Sequence, residues 1–264
     1  MPVIDAHTHA FPDELAARAM PALEAEADWK AFLDGRLSSL LQSMDAAGVD
    51  VSVVCTIATK PDQADGILRW CDDIRSDRIA PFPSIHPDTP DPAGWLRRAA
   101  EAGFAGIKLH PMYQAFAIDE PRMTPIYAAC AQLGLAVQMH CGRDVAFPPD
   151  DDRAEPARTR RVLDATPDLE FIATHMGGWR MWEESDRLLV GNACYMETSF
   201  SLDELSADRF VQMARAHGVD RVLFGTDSPW AGQAEDLQKI RALPFTPEEL
   251  DKILYRNAAR LLGL

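Results

Sequence analysis

The chain is short of positive charge, of paired cysteines and of long apolar runs, and each shortage closes off a class of function. Its 26 Lys and Arg residues stand against 41 Asp and Glu, a net charge of −15. Nucleic acid and anionic membrane surfaces both require a positive field, so neither is an expected partner. No stretch approaches the roughly 20 consecutive apolar residues of a membrane span, and no basic segment followed by an apolar run opens the chain. The five cysteines, Cys55, Cys71, Cys130, Cys141 and Cys194, are odd in number and include no Cys-x-x-Cys pair. That usage fits reduced thiols, and a cytoplasmic location is expected. What is present is ample core material, 47% hydrophobic over 264 residues, enough for one large domain.

Along the chain, apolar and β-branched runs alternate with helical patterns. Strands are expected near residues 4, 53, 82, 107, 137, 172, 196 and 224, the last of them over Arg221–Asp227. Helices are expected over Gly35–Ala47, Asp62–Ser76, Pro92–Ala102, Met123–Leu133, Pro156–Ala165, Trp179–Val190, Asp203–His217 and Glu248–Leu262, and a helix-rich insertion over Asp13–Trp29. Strands alternating with helices imply a parallel sheet with right-handed crossovers. Eight such units in this length predict an α/β fold, a (β/α)8 TIM-type barrel forming a single domain over residues 1–264, with an open doubly wound sheet as the alternative.

In such a barrel the active site lies at the C-terminal ends of the strands. His7 and His9 sit two residues apart at the end of the first strand, where both imidazoles can share a face. Strand four ends with Lys108, strand five with His140, strand six with His175 and strand eight with Asp227. By the pleat, Ala136, Gln138 and His140 share a face, as do Phe171, Ala173 and His175, and Leu223, Gly225 and Asp227. A lone histidine such as His86 reads as a hydrogen-bonded surface residue, and His217, beside Gly218, as a helix C-terminal histidine favoured by the dipole. Four strand ends carrying ligand types together instead suggest a metal site. Imidazoles with one carboxylate suit zinc, and an open coordination position marks a catalytic site.

The motifs Ile4-Asp5-Ala6-His7-Thr8-His9, Gly106-Ile107-Lys108-Leu109-His110-Pro111, Gln138-Met139-His140, Thr174-His175-Met176-Gly177-Gly178 and Leu223-Phe224-Gly225-Thr226-Asp227-Ser228-Pro229, with the ending Asn257–Gly263, span nearly the whole chain. In them the sequence resembles the amidohydrolase superfamily, in the branch that includes aminocarboxymuconate-semialdehyde decarboxylase. The resemblance implies a divalent metal, usually zinc, held by His7, His9, His140 and Asp227, with His175 beside it as acid/base or electrophile. Lys108 is either a carboxylated bridge between two metals or, with one ion, the favoured count, a substrate contact.

For the substrate, a small molecule, the candidate contacts are His110, Arg143, Arg180 and Trp230, with Trp29 and Trp179 as further aromatic walls. The acidic loop from Arg143 to Glu155 is long enough for a lid. The leading expectation is a metal-dependent hydrolase of a small ester, lactone or amide, in which Asp227 takes the attacking water's proton and His175 serves the leaving group. The alternatives are non-oxidative decarboxylation of an unsaturated or aromatic acid on the same site, and a barrel that has lost activity and serves as an interaction module.

Overall fold

The computed structural model describes residues 1–264. Eight strands run β1 (Ile4–Thr8), β2 (Val51–Cys55), β3 (Ile79–Phe82), β4 (Gly106–Leu109), β5 (Ala136–Met139), β6 (Phe171–Ala173), β7 (Tyr195–Glu197) and β8 (Val222–Leu223). Between and after them lie α1 (Asp13–Ala27), α2 (Leu37–Ala47), α3 (Ala64–Ile74), α4 (Pro92–Glu101), α5 (Thr124–Leu133), α6 (Pro156–Ala165), α7 (Trp182–Leu188), α8 (Ser201–Glu204), α9 (Ala207–His217), α10 (Gln233–Ala242), α11 (Pro247–Asp251) and α12 (Asn257–Leu262). All strand pairs are parallel, in the order β1-β2-β3 and β4-β5-β6-β7-β8.

Backbone bonds across two seams join these sheets into one barrel. Between β8 and β1, Ala6 N donates to Phe224 O at 2.8 Å and Asp227 N to His7 O at 2.7 Å. Between β3 and β4, Lys108 N donates to Pro83 O at 3.0 Å. This second seam is thin for a chemical reason: Pro81 and Pro83 have no N–H to return. At the first seam Asp5 does the work of a side-chain clamp. Its carboxylate accepts from Thr226 N at 3.0 Å, Thr226 Oγ1 at 2.7 Å and Gln233 Nε2 at 2.8 Å.

Ile4, Ala6, Val53, Cys55, Phe82, Ala136, Ile172 and Leu223 pack together as the barrel interior, with Ala258 and Ala259 of α12 against them. Larger apolar layers lie between strands and helices, around Trp95, Phe116 and Phe171 on one side and Leu40, Phe210 and Phe224 on the other. All five cysteines are free and buried, and no helix is long and apolar enough to cross a membrane.

Three local expectations differ. The helix expected over Asp203–His217 is two, because Ser206 breaks it and caps α9 by accepting from Arg209 N at 3.3 Å. Strand eight is far shorter than Arg221–Asp227, since the chain beyond Leu223 turns into the site. Helix α10 was not expected; its Gln233 and Asp236 are buried polar residues that blur the apolar stripe.

Candidate active site

Strand β1 delivers its histidines by way of a bulge. Ile4 and Ala6 point into the barrel while Asp5 points out to α10, so simple alternation would send His7 outward with Asp5. The β1–β2 register shifts between Asp5 and Thr8, and that irregularity turns His7 to the mouth, as bulges near active sites commonly do. On β6 the pleat expectation is overturned. Phe171 and Ala173 face the helix layer and Ile172 the interior. His175 reaches the mouth through a left-handed turn instead (φ 57°, with Met176 at 53°). Phe200 and Asp227 also have positive φ, 56° and 64°. Such conformations are costly for non-glycine residues and cluster where structure holds functional groups in place.

His7 Nε2, His9 Nε2 and Asp227 Oδ1 converge: 3.2 Å between the nitrogens, and 3.3 and 2.9 Å from each to the carboxylate oxygen. Outer partners fix which imidazole nitrogens carry hydrogen. His7 Nδ1 lies 3.1 Å from Glu197 Oε1, and His9 Nδ1 2.8 Å from Cys55 O, so both donate outward; each Nε2 keeps its lone pair towards the mouth, that of His7 accepting from Lys108 Nζ at 2.9 Å. His140 Nε2 donates to Arg143 O at 3.1 Å. His175 Nδ1 donates to Ser199 Oγ at 2.7 Å, and that hydroxyl donates on to Glu197 Oε1 at 2.7 Å. The remaining nitrogens, His140 Nδ1 and His175 Nε2, face each other at 3.2 Å. Four imidazoles are thus turned with lone pairs inward, and buried Asp227 Oδ1 has no hydrogen-bond partner.

Lone pairs and a carboxylate gathered this closely could hold a metal cation. Tetrahedral zinc with bonds of about 2.0–2.1 Å would space its donors about 3.3 Å apart, the scale of the His7–His9–Asp227 triangle. Electrostatics prepare the same state. Burial opposes ionisation of Asp227, but positive charge at His7 and His9 outweighs it and holds the carboxyl well below its usual range, a charge that a bound cation would supply where those imidazoles are neutral. Glu197 is likewise kept at about 2, its burial overcome chiefly by His7. Burial lowers His175 to about 4 and His140 well below its ordinary value. Neutral imidazoles beside ionised carboxylates are the form in which such a donor set binds a metal.

The other expected residues fall into place unevenly. Lys108 is fully buried with Nζ 2.9 Å from His7 Nε2, at the donor cluster itself. His140 stands behind the triangle: its donor atoms group with His110 and Asp144, not with His7, His9 and Asp227. His110 stacks on His140 at 4.0 Å and its Nε2 lies 3.3 Å from Asp144 Oδ2. A cavity of about 620 Å³ opens above, walled by His110, Trp29, Trp179, Phe200 and Trp230 among others. Arg143 and Arg180 do not line it. Arg143 Nη1 is spent on Asp151 O at 3.0 Å, and Arg180 pairs with Glu204 at 3.1 Å while lying over Trp179.

Glu197, Ser199 and Asp144 were missed. An acidic residue at the end of β7 was the available signal for Glu197. Gly225 makes its position possible, since a Cβ there would lie 2.5 Å from Glu197 Oε2 and 3.0 Å from His7 Cβ.

A parallel barrel with this donor set at the C-terminal mouth defines the class, and comparison with known proteins supplies the family. The chain belongs to the amidohydrolase family, whose model matches residues 4–264; this is a family of metal-dependent enzymes. None of the curated proteins matches the chain. Among solved structures it is similar to an uncharacterised TIM-barrel protein of Bordetella bronchiseptica, at 22% identity and TM-score 0.79 over 100% of this chain and 99% of that one. A 5-carboxyvanillate decarboxylase of Novosphingobium aromaticivorans, complexed with manganese and a nitrobenzoic acid, matches at 17% identity and TM-score 0.72 over 100% and 96%. A probable 2-pyrone-4,6-dicarboxylic acid hydrolase of Acinetobacter baumannii matches at 15% and 0.72 over 100% of both chains.

Proposed function

We propose that this protein is a metal-dependent hydrolase of a small neutral ester, lactone or amide. One observation carries the reading: Lys108 is the sole Lys or Arg side chain on the cavity wall, and it lies on the floor against His7. Decarboxylation calls for a cationic cradle around the substrate's carboxylate, and both arginines proposed for it are engaged elsewhere.

His7, His9 and Asp227 would hold the cation; His140, the fourth ligand implied by the resemblance, groups instead with His110 and Asp144 and turns its Nδ1 to His175 Nε2 at 3.2 Å. Zinc suits imidazole and carboxylate donors, and manganese, present in the Novosphingobium neighbour, is accommodated by the same types. Such an ion supplies Lewis acidity, making hydroxide available near neutral pH and polarising a carbonyl. Asp227, held ionised, is the weaker base of the mouth. His175 is neutral with a bare Nε2, and the Ser199–Glu197 relay behind Nδ1 can stabilise it when it gains a proton. It is therefore the group to accept a proton from water and pass it to the leaving group. His7 Nε2 has one lone pair, so holding a cation and accepting from Lys108 exclude each other. A loaded site thereby frees the Lys108 ammonium to meet a substrate oxygen.

The second reading is decarboxylation of an aromatic acid, favoured by the aromatic cavity wall and by what the Novosphingobium neighbour is named for. Esters and lactones screened beside aromatic and unsaturated acids, in oxygen-18 water with a carbon dioxide trap, separate the two. Hydrolysis predicts label in the acid product. Released carbon dioxide without label overturns it.

A further inference from the structure

The floor and the walls of the cavity differ in chemistry. The histidines, Lys108 and Asp227 lie at or just beyond the strand ends, Thr59, Gln63, Tyr113 and Asp144 add polar groups from the loops that follow, and a further wall comes from α1, the insertion after β1. There Leu15, Ala19, Ala22, Leu23 and Ala27 face the cavity, a spacing of three and four residues that puts them on one side of a helix. This face is aliphatic throughout and carries small residues in its middle. Ile67, Trp70, Trp29 and Trp230 continue the apolar wall, and Trp29 is held there by its Nε1, which donates to Trp230 O at 3.3 Å. The trough is not closed at its outer end. Leu15 and Val145, both lining the cavity, are 42% and 40% exposed. They carry the apolar lining of the cavity out to its solvent edge.

We infer that the substrate carries an extended alkyl or acyl arm, which runs from its reacting carbonyl along the aliphatic face of α1 to the rim formed by Leu15 and Val145. The neutral carbonyl head of this substrate rests on the hydrolase reading above; the arm rests on α1. A compact ring would be enclosed by the aromatic side chains near the floor, among them Phe200, and would leave the α1 trough and its rim uncovered. An unbranched chain matches the smooth surface that Ala19 and Ala22 leave.

The test uses metal-loaded protein and straight-chain methyl ketones of increasing length, which offer a carbonyl without a cleavable bond. Binding is followed by quenching of tryptophan fluorescence and by calorimetry. Affinity is expected to rise about fourfold per added methylene, the scale for burying one CH₂. Ala22→Phe should stop that rise at a shorter chain. Leu15→Asp, at an exposed position that tolerates charge, should weaken only the longest ketones. Affinity independent of length, or benzoates bound more tightly than any ketone, overturns the inference. Because no bond is cleaved, the outcome is separate from that of the oxygen-18 screen: length-dependent binding without ester turnover would remove the hydrolase reading and leave the arm's subsite standing.

Discussion

Glu197 accepts from His7 Nδ1, Ser199 Oγ and the backbone nitrogens of His175 and Ser199, all at 2.7–3.1 Å. One carboxylate thus sets the tautomer of His7 directly and that of His175 through Ser199. Glu197→Gln keeps the shape but loses the negative charge that backs the His7 N–H, and with its oxygen on His7 its amide nitrogen must face the Ser199 N–H. Metal affinity is then expected to fall by about 10- to 100-fold, the range for a lost outer partner of a ligand, as measured by competition with a chelator; unchanged affinity would remove Glu197 from the site's design. His175→Asn should separate the two functions. It leaves the His7–His9–Asp227 triangle untouched, so bound metal measured by elemental analysis should persist. Turnover should drop by about 100-fold or more, the scale of a lost acid/base group. Loss of half of a two-ion complement in that variant would instead favour the bridged, two-metal arrangement around Lys108.

The elements explain what could and could not be read in the chain. The alternation of eight strands with helices was legible because parallel strands buried on both faces make continuous apolar runs. His7, His9, His140, His175 and Asp227 were legible as strand-end polar residues, and all five reach the mouth. Their local routes were not. The β1 bulge and the left-handed turn after β6 depend on contacts from other strands, which no local pattern encodes, so Phe171 and Ala173 were placed on the wrong face. Arg143 and Arg180 were candidates by charge alone, and charge does not reveal that Asp151 O and Glu204 hold them. Helix α9 shows the same limit at its end. His217 does close that helix, yet it is 4% exposed, its Nε2 donating to Cys194 O at 2.9 Å and its Nδ1 accepting from Gly191 N at 3.3 Å. Burial, not the dipole, governs it, lowering its pKa from 6.5 to about 4. With the folded value below the unfolded one, its contribution is complete above pH 6.5 and is lost as pH falls from there towards 4. The full difference is worth about 3 kcal/mol. His217→Gln can still donate to Cys194 O and cannot titrate. Its urea-unfolding free energy should therefore fall less than the wild type's between pH 7.5 and 5, and parallel slopes would refute the assignment.

At the scale of the whole molecule, the donor triangle sits across the seam where the barrel closes. His7 and His9 leave the end of β1 and Asp227 follows β8; Asp227 N donates to His7 O, and His9 N to Ser228 O. A cation held by all three would therefore staple the last strand to the first, beyond what Asp5 secures through Thr226 and Gln233. Binding to the folded state alone stabilises by about 2.7 kcal/mol when free metal is 100 times its dissociation constant. In a chain of this size that corresponds to a rise in Tm of about 5 to 10 °C. Chelation should reverse the rise, and His9→Ala should abolish it. Lys108 sets how much is lost on chelation, because its ammonium can re-pair with His7 Nε2 and spare the empty triangle part of its repulsion. Lys108→Met removes that substitute cation. The variant should melt lower than the wild type without metal and gain more on adding it, as read by calorimetric scans at matched metal activity. An equal gain in both proteins would mean that Lys108 and the metal do not compete for His7.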